Sequence, residues 1–276
     1  MKNHFKIYLF SLFILILFST SCSLIDSICK KGTGAIISQE RTVSSFTVVE
    51  SKGSFKVNIF QDSSIKTQKV TVFAQESIIG LIQTRIAGQS LIIDTDECYT
   101  TDEEVTITIR TPALSQIILS GSGDIILQDT VRINEIELIL NGSGNIRTTP
   151  SFPIAAYTKC TAKLIGSGNM ELEFDTTNVV NASVEGFGTI ILRGEAKENS
   201  LNISGSGNIK AFFLPVLKST VEIIGSGNIE LTATDTNIPS KATLNARISG
   251  SGKVVVKGNA IIKSDISGSG KIERVE

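Results

Sequence analysis

Histidine and tryptophan are almost missing from this sequence: tryptophan is absent and the only histidine is His4, inside an N-terminal stretch with the character of a removable leader. A mature chain without imidazole excludes Ser-His and Cys-His nucleophilic catalysis, histidine-bearing metal sites and histidine-based pH switching. Charge of one sign is also missing. The 26 basic and 27 acidic residues nearly cancel, which excludes a strongly basic nucleic-acid binder. Proline is scarce, at five residues, and aromatics make up 6%, while 41% of the chain is apolar and 19% charged; this is the composition of a globular protein, not of a disordered or collagen-like one. Its 276 residues allow one large domain or two ordinary ones.

An apolar run long enough to span a bilayer, about 20 residues, is lacking as well. The longest is the 12-residue stretch Ile7 to Phe18, preceded by Lys2 and Lys6, which is the shape of a signal peptide. Ser19-Thr20-Ser21-Cys22 follows it and resembles a lipoprotein cleavage box, in which Cys22 becomes the acylated first residue. Position 19 departs from the usual Leu, so ordinary signal peptidase cleavage is the alternative. The chain is predicted to be exported, with residues 1–21 as leader and 22–33 as a lipidated tether. Loss of the leader leaves 24 basic and 27 acidic residues, a formal charge of −3, which names no electrostatic partner.

With Cys22 acylated, Cys29, Cys98 and Cys160 remain, an odd number in a compartment where disulfides persist. Cys160 sits in the alternating run AAYTKCTAKLIG, while Cys29 and Cys98 lie in polar, turn-like sequence near strand ends; a Cys29–Cys98 bridge is expected. Three unpaired thiols are the alternative, because spacing does not fix connectivity.

The dominant feature is a repeat. Gly-x-Gly occurs eight times from residue 121 onward, at Gly121-Gly123, Gly142-Gly144, Gly166-Gly168, Gly186-Gly188, Gly205-Gly207, Gly225-Gly227, Gly250-Gly252 and Gly268-Gly270. Successive copies lie 18 to 25 residues apart, and the middle residue is Ser in all but one, where it is Phe187. Two residues before each first glycine stand Leu119, Leu140, Leu164, Val184, Ile203, Ile223, Ile248 and Ile266; four residues after it stand Ile125, Ile146, Met170, Ile190, Ile209, Ile229, Val254 and Ile272. Period-two alternation on both sides of the glycines predicts strand, tight corner, strand, with these aliphatic residues facing inward. A unit of about 20 residues holds two strands and two connections and buries its apolar face by stacking on its neighbours, so the fold class is all-β, a β-solenoid of about eight coils. The longest intervals place Pro150, Pro153 and Pro239 at the opposite corner, outside the hydrogen-bonded ladder. Directly after the glycines come Asp124, Asn145, Asn169, Thr189, Asn208, Asn228, Lys253 and Lys271, expected to align as a buried amide ladder that ends at the lysines.

Residues 34–115 also alternate but contain no such tripeptide, and are predicted to be a β-rich region capping a solenoid of residues 116–276. TRIAGQSLIID reads as a hairpin turning at Ala87-Gly88-Gln89.

These residues resemble a known family, the autotransporter adhesins of the head GIN domain, found mainly in exported proteins of Bacteroidetes-type bacteria. The resemblance rests on the recurring ISGSGNI-type turns, on ALSQIILSGSGDI following VTITIR, on the opening KGTGAIISQERTVSSFTVVE and on the ending KGNAIIKSDISGSGKI. It implies a two-sheeted β-superhelix similar to pectate-lyase-like proteins and a role in cell adhesion. The chain departs from the pattern at Phe187, where a wider corner or an exposed ring is expected.

Enzymatic alternatives find little support in the residues. No tripeptide has the third glycine and following helix of a dinucleotide site, and only Asp124 offers the acid that a calcium-binding nonapeptide would repeat. Asp94, Asp96, Glu97, Asp102, Glu103 and Glu104 cluster around Cys98 and Tyr99 and could offer oxygens to Ca²⁺, but a solvated loop is the favoured reading. The reading that results is a non-catalytic, lipid-anchored envelope protein with no cofactor. It would be held in the outer membrane, facing periplasm or cell surface, and bind a protein or glycan, with homo-oligomers allowed. A β-helix enzyme or accessory acting on glycans is the alternative.

Overall fold

The computed structural model describes residues 29–234 and 242–276, with the side chain at 176 left aside; Cys22, the leader and Pro239 lie outside the described residues. The N-terminal part contains β1 (Lys30–Lys31), β2 (Ile36–Arg41), β3 (Val48–Gly53), β4 (Lys56–Gln61), β5 (Lys69–Gln75), β6 (Ile82–Ala87), β7 (Ser90–Thr95), β8 (Tyr99–Thr100) and β9 (Thr106–Thr111). The repeats give β10 (Gln116–Gly121), β11 (Asp124–Leu127), β12 (Val131–Gly142), β13 (Asn145–Thr148), β14 (Ile154–Gly166), β15 (Asn169–Gly186), β16 (Thr189–Gly205) and β17 (Asn208–Val216). They continue with β18 (Lys218–Gly225), β19 (Asn228–Ala233), β20 (Thr243–Gly250), β21 (Lys253–Lys257), β22 (Ile261–Gly268) and β23 (Lys271–Val275).

The result is a β-solenoid. Strands that run into a first glycine stack in parallel as one sheet, strands that leave a second glycine stack as the other, and β15 and β16 run unbroken around the opposite corner. The eight tripeptides bound seven full turns. Register is set by the glycines, which pair Gly121 with Gly142 and so on to Gly250 with Gly268. Leu119, Leu140, Leu164, Val184, Ile203, Ile223 and Ile248 therefore form one buried column inside the coil. Burying each such side chain contributes about 1.5 to 3 kcal/mol. In the interval that holds Pro150 and Pro153 the spare residues go to the opposite corner, as expected, while Pro239 lies outside the described residues. The ladder slips near the opposite corner, as between Ile133 and Glu135 and between Ala211 and Val216, and Pro150 lies in a turn closed by Phe152 N–H on Thr149 O at 2.9 Å.

The stack crosses residue 116 without a break. β3 and β4 lie under β10 and β11, with Gly53 in register with Gly121, and β7 and β9 lie under β3 and β4. The first coil thus turns at Gly53-Ser54-Phe55, and the one beneath it turns through the long loop that follows β7. Beyond these, the antiparallel strands β5 and β2 close one sheet, while β6, joined to β7 by the expected tight turn at Gly88 (φ +63°), closes the other. Arg41 donates to Ile79 O and Ile82 O across this end at 2.9 and 3.2 Å. The cap is real, but it is built of fewer strands than residues 34–115 suggested.

One inward column departs from apolar stacking. Ile136, Cys160, Val180, Asn199, Ser219 and Leu244 align, and buried Ser219 Oγ lies 2.6 Å from Asn199 Oδ1, while Asn199 Nδ2 has no protein partner. Cys160 is a free, wholly buried thiol pushed up to about 12 by that burial.

Candidate functional site

The glycine corner is built from backbone. Gly205 holds φ +127°, a region that side chains rarely adopt, and a Cβ there would lie 2.7 Å from Gly186 O in the coil below. The second glycine, Gly207, needs no unusual φ; its Cβ would press 2.5 Å from Val184 Cγ1. What occupies the space is hydrogen bonding between coils: Ser143 and Gly144 both donate to Gly121 O at 3.1 Å, Ser167 and Gly168 to Gly142 O, and Ser251 and Gly252 to Gly225 O. The serine side chains point outward and are exposed, and Ser226 Oγ meets Ser251 Oγ at 3.0 Å. They form a row of hydroxyls on a scaffold and do not assemble a nucleophile with a base. Phe187 keeps the same backbone bonds to Gly166 O, so the corner is not widened, and its ring stands 73% exposed.

Beside the corner runs the amide ladder. Asn145 Nδ2 donates to Asp124 Oδ1 at 2.8 Å, Asn169 Nδ2 to Asn145 Oδ1 at 3.1 Å, and Asn228 Nδ2 to Asn208 Oδ1 at 3.2 Å, with Thr189 between the two runs. The expectation of burial is corrected: each of these residues sits one position from an inward aliphatic, so the pleat turns it outward, and the ladder is half-buried to exposed. It ends at Lys253 and Lys271, which grip Glu273 at 2.6 and 2.7 Å. Both hydrogen bonds hold the Glu273 carboxyl down to about 2. On the other sheet the Lys163 ammonium, at 2.7 Å, is the main cause that lowers Glu137, with Gln116 Nε2 adding to it.

The acidic loop fills the corner of the coil beneath Gly53. Cys29 and Cys98 are joined there, and β1 pairs with β8, so the chain's beginning is strapped to this loop. Between the loop and Gly53-Ser54-Phe55 lies an open pocket of about 580 Å³, lined by Glu97, Tyr99, Glu103 and Glu104 among others. Tyr99 is half-buried, which raises its phenol. The carboxylates do not converge: Asp94 pairs with Arg85, Glu104 pairs with Lys56 at 2.9 Å, and among the described residues no group of three His, Cys, Asp or Glu could hold a metal ion.

Sequence reasoning missed two structural residues. Phe55 takes the place of a second glycine, and its backbone stacks under Gly123. Gly194 (φ +101°) allows β16 to pass directly over Phe174 O, where any Cβ would overlap; its only signal was a lone glycine inside a strand pattern.

The comparisons agree with this architecture. A Parabacteroides distasonis protein described as a putative lipid binding protein is 27% identical over 89% of this chain and 99% of its own, with a TM-score of 0.80. An adhesin so described from Parabacteroides merdae shares the fold at 23% identity and TM-score 0.80, covering 90% of this chain and 100% of its own. A second such adhesin from Parabacteroides distasonis shares it at 22% identity and TM-score 0.80, covering 89% and 99%. No curated protein sequence matches the chain. The family described as "Putative auto-transporter adhesin, head GIN domain" matches residues 45–260, a span that takes in the first coil at Gly53 and seven of the eight tripeptides, and the chain belongs to that family.

Proposed function

We propose that this chain is an exported, non-catalytic adhesin, anchored through lipid on Cys22 and displaying the solenoid from the cell envelope. The observation that carries the reading is the corner. Seven serines hold equivalent exposed positions on glycine backbone that is already committed to coil-to-coil bonds, an arrangement that serves packing and presents a repetitive neutral surface. Weak contacts repeated over many copies on one membrane gain by avidity, by about 10² to 10⁴ over a single site. Family membership and adhesins of the same fold support the role, and the Cys29–Cys98 disulfide fits an exported chain. Cys22 and Cys29 are only seven positions apart, a reach of at most about 25 Å, so the capped end would stand close to the membrane and the last coil farthest from it.

Mass spectrometry of membrane-extracted protein tests the anchor. An N-terminal peptide beginning at acylated Cys22 supports it, and a lipid-free product starting elsewhere overturns it. Incubation with acidic and neutral polysaccharides, with and without Ca²⁺, tests the absence of catalysis: depolymerisation lost on mutating Asp94 and Asp96 would replace this reading with a glycan-acting enzyme.

A further inference from the structure

The two ends of the solenoid are finished differently. At the N-terminal end, antiparallel strands and Arg41 cover the core. At the other end β22 pairs only with β20, and β23 only with β21, among the described residues. The outer edge of β22 therefore offers a row of unpaired backbone N–H and C=O groups. Its inward side chains are Ile262, Ser264 and Ile266; they continue columns whose previous members, Leu244, Ala246 and Ile248, are at most 5% exposed, yet Ile266 is 40% exposed and Ile262 and Ile272 are only half-buried. Arg274 bounds this apolar window on the far side, its guanidinium turned back onto Gly258 O at 2.6 Å and Ala260 O at 2.7 Å. Natural sheets protect such edges with bulges, proline, charged side chains or a covering segment; β22 carries the charges Lys263 and Asp265 but, among the described residues, no bulge, proline or cover.

We infer that this edge is a contact between two copies of the chain, joined tip to tip by antiparallel pairing of β22 with β22. The sequence of the strand is complementary to itself. About a two-fold axis through Ser264, Ile262 of one copy faces Ile266 of the other on the inner side, and Lys263 faces Asp265 on the outer side, each pair formed twice. That register sets Ile262 against Ile266 and Lys263 against Asp265, with exposed Ile261 facing Ser267 at the ends, whereas a shift by one residue turns both sets to the wrong face. Lys263 and Asp265 are both exposed and free to meet a partner, Asp265 being tied only to Arg247 by a surface pair at 3.4 Å.

The arrangement has a consequence for adhesion, which rests on the anchored adhesin reading above; the contact itself does not. The two-fold axis lies across the solenoid, so it places the two capped ends at opposite poles. Eleven stacked strands at about 4.8 Å make each copy about 50 Å long. Copies on facing membranes would meet at their tips, and the partner of this adhesin would be the same chain on another cell.

The test uses the processed chain in light scattering across a concentration series. A concentration-dependent dimer is expected, with Lys263→Asp and Asp265→Lys each weakening it about tenfold and the double variant, which restores opposite charges, returning to the original affinity. A monomer at every concentration, or a dimer indifferent to these exchanges, overturns the contact; circular dichroism of the variants, altered only at exposed positions, guards against misfolding. Beads carrying the chain through Cys22 should clump, and clumping should follow the same charge pattern. A dimer that obeys the charge exchange while the beads stay dispersed would keep the contact and overturn the adhesive reading.

Discussion

Replacing Gly205 by alanine separates backbone strain from side-chain chemistry at the corner. At φ +127° an added Cβ carries about 1 to 3 kcal/mol of conformational cost, and it also meets Gly186 O at 2.7 Å and Gly186 N at 3.2 Å, both backbone atoms fixed by the coil below. The total should reach about 3 kcal/mol, and Gly205→Val should exceed it. Gly207→Ala has ordinary φ and clashes with Val184 Cγ1, the tip of a side chain, and with Gly188 O at 2.7 Å; crowding alone should cost about 1 to 3 kcal/mol. Ser206→Ala leaves the bond from its own N–H to Gly186 O, at 3.0 Å, and removes only an exposed hydroxyl, so it should stay within about 0.5 kcal/mol. In a chain of this size about 3 kcal/mol lowers Tm by roughly 6 to 12 °C. Urea unfolding followed by circular dichroism and by hydrogen exchange at the corner amides is the assay, since a stacked array can unfold in parts. Equal midpoints for all four variants would refute the corner as the element that sets register.

Four further outcomes are expected. Breaking the Cys29–Cys98 bridge, which closes a separation of 69 residues, should cost about 3 to 4 kcal/mol in the chain-entropy view, read as a lowered unfolding midpoint in reductant; an unchanged midpoint contradicts it. Glu273, held down to about 2 by Lys253 and Lys271, contributes stability above the ordinary carboxylate range that is lost as pH falls through its folded value, so acid from about pH 4.5 to 2 should loosen the last coil. Glu273→Gln should abolish that slope, and an NMR titration midpoint near 4.5 would contradict the assignment. Cys160 should ignore thiol reagents at pH 8 until the protein unfolds; prompt labelling of the native chain contradicts its burial. Ser219→Ala alone should cost about 1 to 3 kcal/mol by stranding Asn199, whereas Asn199→Leu with Ser219→Ala should be close to neutral, as chemical denaturation would show.

The repeats were legible because each coil places the same residues in the same surroundings: one glycine needs an unusual φ, the next needs space, and the aliphatics on either side face inward. The first coil was hidden because Phe55 replaces its second glycine, and because β3 and β4 stack on β10 and β11 across some 60 residues of intervening chain, a long-range pairing that leaves no period in the sequence. The coil beneath was hidden by its ten-residue corner, whose charge and turn-like residues suggested only a solvated loop. The alternation that predicted inward Ile125 and Ile146 also fixed Asn145 as outward, so the exposure of the amide ladder could have been read from the pleat. Gly194 and the Asn199–Ser219 pair left almost no trace, since a lone glycine and a polar residue at an inward position become meaningful only when the neighbouring coil is in view. The open edge of β22 was invisible for the same reason: strand character is written in its residues, but the absence of a neighbour is a property of the stack.

Whether the solenoid stands outside the cell is the most direct test of the adhesin reading. Lys197 and Lys210 are exposed on the coils, and a membrane-impermeant amine reagent can reach them only from outside. Intact cells producing the chain should give the same labelling of Lys197 and Lys210, measured by mass spectrometry, as lysed cells. Labelling that occurs only after lysis would place the solenoid inside the envelope and contradict the account.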